Sequence, residues 1–298
     1  MFGFFKRSPL PAAEPVARAE PAAQGDPVVD AVLMSGVVLP PYPQVLDQLD
    51  HLMARDDFEL PRLVDLVAHD PSLRAALLRV ANSPVFGLRQ SVSSLLQAIT
   101  LLGLARARAV LLSEVLRDAL RDYGDPGLVQ ALWTRFSAIG NLAAAIAARS
   151  TALRAHADLA YTTGMFHGTG SFILVKRFPH ETASLALAGK GYAAELERLA
   201  AQLGSDTVPI SAMVARNWRL PAEVCAAIAL QSHEPSIATA AGRLAVLLRL
   251  AIALHDAEHP GGEWPALWDS AAGVLGLDGE GLGEISALFG GEEALPRG

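Results

Sequence analysis

The chain has 298 residues, 51% of them hydrophobic and 18% charged, so it can bury a full core as one large domain or two small ones. Its formal net charge of −7 argues against a nucleic-acid partner, because phosphate-backbone binding requires a basic face. A single cysteine, Cys225, no apolar run of about 18 residues and no secretory signal indicate a cytoplasmic protein without an internal disulfide or a membrane span.

Composition divides the chain into three parts. Residues 1–27 are rich in proline and alanine, and such a segment buries too little apolar surface to offset its ordering entropy, so we predict a disordered arm. Residues 28–258 show helical periodicity and are predicted to form the main domain. After the break at Pro260-Gly261-Gly262, residues 259–298 are predicted to form a C-terminal helical extension and tail.

Apolar residues recur at helical spacing along the main domain. Asp70-Pro71 is a strong helix start, with an N-cap followed by proline at the first helical position. The pattern predicts further helices over 104–120, 128–148, 158–178, 181–187 and 221–230 and around 244–251. Alternating strand patterns are absent, so we predict an all-α, multi-helix bundle.

The stretch after the helix that begins at Pro71 carries dense turn signals. Asn82 and Ser83 precede a proline, and both side chains favour hydrogen bonds to nearby backbone. Ser94, with Gln97 three residues later, is predicted to form a capping box that starts the next helix. Gly103 is predicted to end that helix as an αL cap.

Segments 39–43, 69–73, 77–83, 98–104 and 218–221 together resemble the HDOD family, the HD-related output domains of bacterial signalling proteins. The resemblance covers about residues 39–235. It implies an HD-like bundle that keeps the helical shell of the HD metal phosphohydrolases and typically lacks their metal site. The resemblance places the family's signature turn at Asn82, Ser83, Phe86, Gly87 and Gly103.

The parent HD fold holds its metal ions with an early histidine, a His-Asp pair and later acids or histidines. In this chain the resemblance places Phe136 where the first histidine is expected, and His167-Gly168 where the His-Asp pair is expected. Thr207 and Gln231 fall at further histidine positions. One histidine alone cannot hold a metal ion at useful affinity, so the resemblance implies a vestigial site with no catalytic residue, metal or cofactor.

Two other motifs have a plain structural interpretation. His255-Asp256, with His259 four residues after the histidine, is predicted to lie at a helix end, where histidine complements the helix dipole. Gly164, Gly168 and Gly170 are not preceded by a strand, so a phosphate-binding loop is not supported.

Four arginines are spaced along the helix predicted over 104–120. We predict that they form a solvated face with acidic partners four residues away. The arginines are Arg106, Arg108, Arg117 and Arg121, and the acidic residues are Glu114, Asp118 and Asp122.

We therefore expect a non-catalytic signalling or regulatory module that acts through contacts with other signalling proteins. The arm, or a groove between two helical halves, would receive the partner. Two alternatives stay open: a metal-dependent HD-type phosphohydrolase, and a sensor that holds a nucleotide in the vestigial cavity near His167 without cleaving it. No motif in the sequence supports the nucleotide specifically.

Overall fold

The computed structural model describes residues 39–82, 90–186, 191–203, 206–233, 235–256 and 264–277, and all regular secondary structure within these ranges is helical. The predicted all-α class is confirmed. Ser83, Phe86, Gly87 and the predicted arm over 1–27 lie outside the described residues.

The helices are α1 (Gln44–Met53), α2 (Leu60–Ala68), α3 (Pro71–Ala81), α4 (Leu95–Leu102), α5 (Leu104–Leu120), α6 (Pro126–Arg149), α7 (Ala157–Phe166), α8 (Gly170–Arg177), α9 (Tyr192–Leu203), α10 (Thr207–Asn217), α11 (Ala222–Ala229), α12 (Ala240–Asp256) and α13 (Trp264–Leu275).

The start of α3 follows the sequence prediction, whereas the start of α4 does not. The Asp70 carboxylate accepts hydrogen bonds from the backbone N–H groups of Ser72, at 2.8 Å, and Leu73, at 3.2 Å. Ser94 has the extended backbone of an N-cap, but its side chain makes no capping hydrogen bond. The predicted capping box between Ser94 and Gln97 is therefore wrong, and burial of Leu95 in the core fixes this helix start.

The chain turns sharply between α4 and α5 at Gly103, and the two helix axes differ by 113°. Gly103 has φ 77° and ψ 160°, a combination that only glycine adopts readily, and it lies outside the predicted αL region. Within the described residues no single helix is both long and apolar enough to cross a membrane, and α4 with α5 meets that test only as a bent pair.

The arginines of α5 do not share one solvated face. Arg121 is exposed and pairs with Asp118 three positions earlier, as expected of a solvated face although not at the predicted spacing. Arg117 is half-buried and pairs with the buried Glu114, also three positions earlier. Arg108 instead bonds to Asp50 of α1 at 2.8 Å. The Arg106 guanidinium stacks 4.3 Å from the centre of the Tyr161 ring, and burial lowers its pKa. The prediction is therefore wrong for Arg106 and Arg108, which connect helices.

Two segments that carry the family resemblance contact each other across the fold. The Trp218 side chain is fully buried, and its Nε1 donates to the Pro40 carbonyl oxygen at 3.0 Å. The Tyr42 ring meets the Trp218 ring edge-on at 6.2 Å between centroids. The proline-rich opening is thus tied to the end of α10, nearly 180 residues later.

The core consists of two apolar clusters that meet at α6 and α7. The first extends from α1 to α11 and includes Cys225, whose thiol pKa is raised by burial. The second joins the C-terminal half of α6 to α7, α12 and α13, where Ala271 and Leu275 are fully buried. The C-terminal helix is therefore packed against the bundle.

Helices α6 and α7 approach closely because glycines face each other. A Cβ atom on Gly164 would lie 2.6 Å from the Cα atom of Gly140, closer than real side chains allow. The continuous helix predicted over 158–178 is wrong, since α7 ends at Phe166 and α8 begins at Gly170. The helix predicted over 181–187 forms only a short 3₁₀ turn, Ala183–Ala186.

Candidate functional site

The break between α7 and α8 carries the histidine that the sequence singled out. His167 is 7% exposed, and its Nδ1 donates to the Gly164 carbonyl oxygen at 2.7 Å. A carbonyl can only accept, so the ring proton lies on Nδ1. Burial lowers the pKa of His167 to about 4, and the nearby positive charge of Arg135 acts in the same direction. The imidazole is therefore neutral at neutral pH.

The Phe136 side chain fills the space beside this break. Its ring is fully buried, 5.0 Å from the His167 ring and 5.7 Å from the Phe172 ring between centroids, with edge-on geometry in both pairs. A Cβ atom on Gly168 would lie within 3.0 Å of Phe136 ring atoms, an approach that real Cβ atoms essentially never show. The structure therefore brings Phe136, His167 and Gly168 together, and the phenyl ring leaves no room for a side chain at position 168.

Thr207 lies beside the same region but contacts it through Gly170. A Cβ atom on Gly170 would collide with the Thr207 carbonyl oxygen, so α8 and α10 touch at this glycine. Ser211 Oγ donates to that carbonyl at 2.8 Å and accepts from the Gly170 backbone N–H at 2.8 Å. Thr207 thus belongs to a helix-packing contact at the start of α8.

An arginine that the sequence analysis did not single out lies next to His167. Arg135 of α6 is 8% exposed and makes two hydrogen bonds to the Asp256 carboxylate, at 2.5 and 2.7 Å. Its guanidinium lies 4.2 Å from the centre of the Tyr192 ring, and the Tyr192 hydroxyl pairs with Ser171 Oγ at 2.7 Å. Burial raises the pKa of Tyr192 to about 12, so the phenol is neutral. Arg135 and Asp256 therefore lie close enough to His167 to act on its charge, and Tyr192 and Ser171 pack beside them.

His255 and Asp256 lie at the end of their helix, and both also contact Arg135. His255 Nδ1 lies 2.9 Å from an Asp256 carboxylate oxygen and 3.3 Å from an Arg135 nitrogen. Although burial alone raises the pKa of Asp256, the hydrogen bonds from His255 and Arg135 lower it overall. The predicted helix-end location is correct, but the main partner of Asp256 is the guanidinium. His259 lies outside the described residues.

The residue expected at a later metal-ligand position also reaches this site. Gln231 Nε2 donates to the His167 backbone carbonyl at 3.1 Å. The described part of the chain contains no group of three or more histidine, cysteine, aspartate or glutamate side chains placed to hold a metal ion. The available chemistry is a neutral imidazole, an arginine paired with a carboxylate, and a packed aromatic wall.

The side chain of Asn82 in the signature turn forms hydrogen bonds to backbone groups of Leu78, before it, and Val92, after it. Its amide donates to the carbonyl oxygens of Leu78 and Val92, both at 2.8 Å, and its side-chain oxygen accepts from the Val92 N–H at 2.7 Å. The predicted side-chain to backbone bonding of Asn82 is confirmed, whereas Ser83 lies outside the described residues.

These features define an all-helical bundle of the HD-related type, with one buried histidine at the break between its central helices. The HDOD domain family matches residues 39–235, the range that the sequence motifs indicated, and the chain belongs to that family.

Solved structures share this fold over most of the chain. An HDOD domain protein of unknown function from Geobacter sulfurreducens has 20% identity and a TM-score of 0.65, covering 88% of this chain and 94% of its own. A candidate phosphohydrolase from Shewanella amazonensis has 22% identity and a TM-score of 0.61, covering 89% and 96%. A candidate signal transduction protein from Marinobacter aquaeolei has 26% identity and a TM-score of 0.58, covering 86% and 58%.

A curated relative is much longer than the matched region. An uncharacterised protein of Treponema pallidum (strain Nichols) is 24% identical over 204 residues, which is 66% of this chain and 38% of that protein. The match therefore spans well under half of the relative's length.

Proposed function

We propose that this chain is a non-catalytic signal-transduction module that regulates other signalling proteins through direct contacts. The observation that carries the proposal is the packing of Phe136 against Gly168. The resemblance places these two residues at metal-ligand positions of the parent HD fold. One position carries an aromatic ring beside His167, and the other carries a glycine, because the ring leaves no room for a side chain there.

The residues present do not fit a metal-dependent phosphohydrolase. Such chemistry needs several ligands and an open position where a metal-bound water forms. Here His167 stands without a neighbouring carboxylate at position 168, and the carboxylate of Asp256 is bonded to Arg135. The name of the Shewanella protein does not alter this conclusion, because an identity of 22% supports the shared fold alone.

An apolar corner supports the contact role. The large apolar side chains with high exposure in the described residues are Leu96, Leu101, Leu104 and Ile237. Leu101 and Leu104 flank Gly103 at the α4–α5 bend, and Leu96 lies in the first turn of α4. Exposed apolar clusters of this kind mark protein-interaction sites more often than isolated residues do. The description of the Marinobacter relative as a candidate signal transduction protein agrees with this role.

The enzyme question is tested with the full chain, purified and then incubated with manganese, iron or zinc. We expect less than stoichiometric tightly held metal and no hydrolysis of a generic phosphate ester above the background without protein. One or more ions per chain that are lost in His167→Gln, together with metal-dependent hydrolysis, would overturn the proposal.

The contact role is tested by capture of partners from the native cell with three variants. Leu101→Lys and Leu104→Lys should reduce the recovery of a specific partner, because each places a charge in the apolar corner. Ile237→Lys is the control, since Ile237 is at least as exposed as Leu101 and Leu104 but lies far from Gly103 along the chain. Equal capture by all three variants would exclude this corner as the docking surface.

A further inference from the structure

A separate cavity of about 520 Å³ lies between the N-terminal helices and the central pair. Helices α3 and α5 form one wall, and α6 and α7 form the other. The volume lies within the range of small-molecule sites. The lining residues are Ala76, Arg79, Val80, Asn82, Val110, Ser113, Glu114, Arg117, Gln130, Trp133, Thr134, Ser137, Asn141, Tyr161 and Met165.

Helix α6 presents a polar stripe to this cavity. Gln130, Thr134, Ser137 and Asn141 recur at intervals of four, three and four residues, which places them on one face of the helix. Most of the other residues of α6 are apolar or small and buried in the core. Gln130 and Thr134 are exposed, and Thr134 Oγ1 donates to the Gln130 carbonyl oxygen at 2.9 Å, whereas Ser137 and Asn141 are half-buried. A row of uncharged hydrogen-bonding groups along a cavity wall is suited to a polar ligand.

Two aromatic side chains line part of the cavity. Trp133 and Tyr161 are 3% and 5% exposed, and burial raises the pKa of Tyr161, so its phenol is neutral. The Trp133 Nε1 atom is itself buried away from the open space, so the ring and not its N–H would meet a ligand.

The cavity has an excess of positive charge. Arg79 of α3 and Arg117 of α5 converge on Glu114, each pairing with a different carboxylate oxygen. The Glu114 side chain is 9% exposed, while those of Arg79 and Arg117 are 62% and 41% exposed. One carboxylate balances only one of the two guanidinium groups, and the other lining residues carry no formal charge at neutral pH. A net charge of about +1 at the rim of an aromatic cavity favours an anionic ligand with a planar ring.

We propose that this cavity binds a small organic anion of the size and chemistry of a nucleoside monophosphate. Its ring packs against Trp133 and Tyr161, and its acidic group pairs with Arg79 and Arg117. The site is distinct from the filled pocket at His167, and the proposal is independent of whether the domain is catalytic. Because Asn82 lines the cavity and also bonds to Val92, the ligand would contact the family's signature turn.

Calorimetric titration of the full chain tests the proposal. The probes are the four common nucleoside monophosphates, inorganic phosphate and the uncharged nucleosides. We expect at least one monophosphate to bind at least tenfold more tightly than both its nucleoside and inorganic phosphate. Failure of every monophosphate to bind below about 1 mM, a range where specific small-ligand contacts are measurable, would overturn the proposal.

Charge variants locate the site and give effects of opposite sign. Arg79→Gln and Arg117→Gln should each weaken binding about tenfold, as expected for loss of a charged hydrogen bond. Glu114→Gln should strengthen binding, since it removes the competing carboxylate. Arg121→Gln is the matched control on the same helix, because Arg121 pairs with Asp118 and does not line the cavity. Equal binding by all of these variants would show that the anion binds elsewhere.

Discussion

The ring of Phe136 occupies the space into which any side chain at position 168 would extend, and Gly168 is the residue that permits this packing. Phe136 lies on α6 and Gly168 at the break between α7 and α8, 32 positions apart. The two positions are therefore coupled in space, since a side chain at position 168 cannot coexist with the Phe136 ring in this position.

This packing predicts the effect of adding a methyl group. Gly168→Ala should lower the free energy of unfolding by about 1–3 kcal/mol, because overpacking a dense core forces neighbours to move. Gly191→Ala is the matched control and should have little effect, since no atom of the described residues lies within 4 Å of its added Cβ. Chemical denaturation measures both variants.

A double-mutant cycle tests whether the two positions are coupled. Phe136→Ala alone should cost about 3–5 kcal/mol through loss of a buried ring. Combined with Gly168→Ala it should cost less than the sum of the single changes, because the new methyl group enters the vacated space. Strict additivity would contradict the packing that excludes a side chain at position 168.

The buried histidine predicts how stability depends on pH. The folded-state pKa of His167 is about 4, against an ordinary value of 6.5, so the unfolded chain takes up a proton first as the pH falls. The stability contribution is complete above pH 6.5 and is lost between about pH 6.5 and pH 4. The shift corresponds to a loss on the order of 3 kcal/mol.

Urea denaturation of the wild type and His167→Gln over this pH range isolates the contribution. The other titrating groups are shared by both proteins, so the difference between the two curves reports position 167. The difference should shrink as the pH falls. A constant difference from pH 7.5 to pH 4 would mean that His167 does not resist protonation in the folded state.

The ion pair beside the histidine should be important for stability. Asp256→Asn leaves the buried Arg135 guanidinium without its counter-charge and should cost about 3 kcal/mol, the low end for a broken buried pair because Asp256 keeps 16% exposure. Asp118→Asn breaks an exposed pair with Arg121 and should cost less than about 1 kcal/mol. Similar denaturation midpoints for the two variants would show that the Arg135 pair contributes no more than a surface pair.

Local sequence signals predicted those parts of the fold that depend on neighbouring residues. The cap at Asp70 and the long helix over 104–120 depend on capping and periodicity, and both occur where predicted. The break at His167 was missed although Gly168 and Gly170 disfavour a helix there, because apolar residues continue on both sides of them. Both glycines are in close contact with other helices, Gly168 with α6 and Gly170 with α10. The pairing of Arg135 with Asp256 was also missed, since 121 positions separate them and no local pattern points from the His255-Asp256 pair to Arg135.

The signature turn gives a further prediction, because the Asn82 side chain forms hydrogen bonds to backbone groups that would otherwise need backbone partners. Its amide pairs with both the N–H and the carbonyl of Val92, as a neighbouring strand would. Asn82→Ala removes three hydrogen bonds at an exposed position and should lower the free energy of unfolding by about 1 kcal/mol. Asn82→Asp keeps the acceptor for the Val92 N–H but sets a carboxylate oxygen against the Leu78 and Val92 carbonyl oxygens at the C-terminal end of α3, so its denaturation midpoint should be no higher than that of Asn82→Ala. An unchanged midpoint in both variants, together with loss of partner capture, would instead make this turn a contact surface.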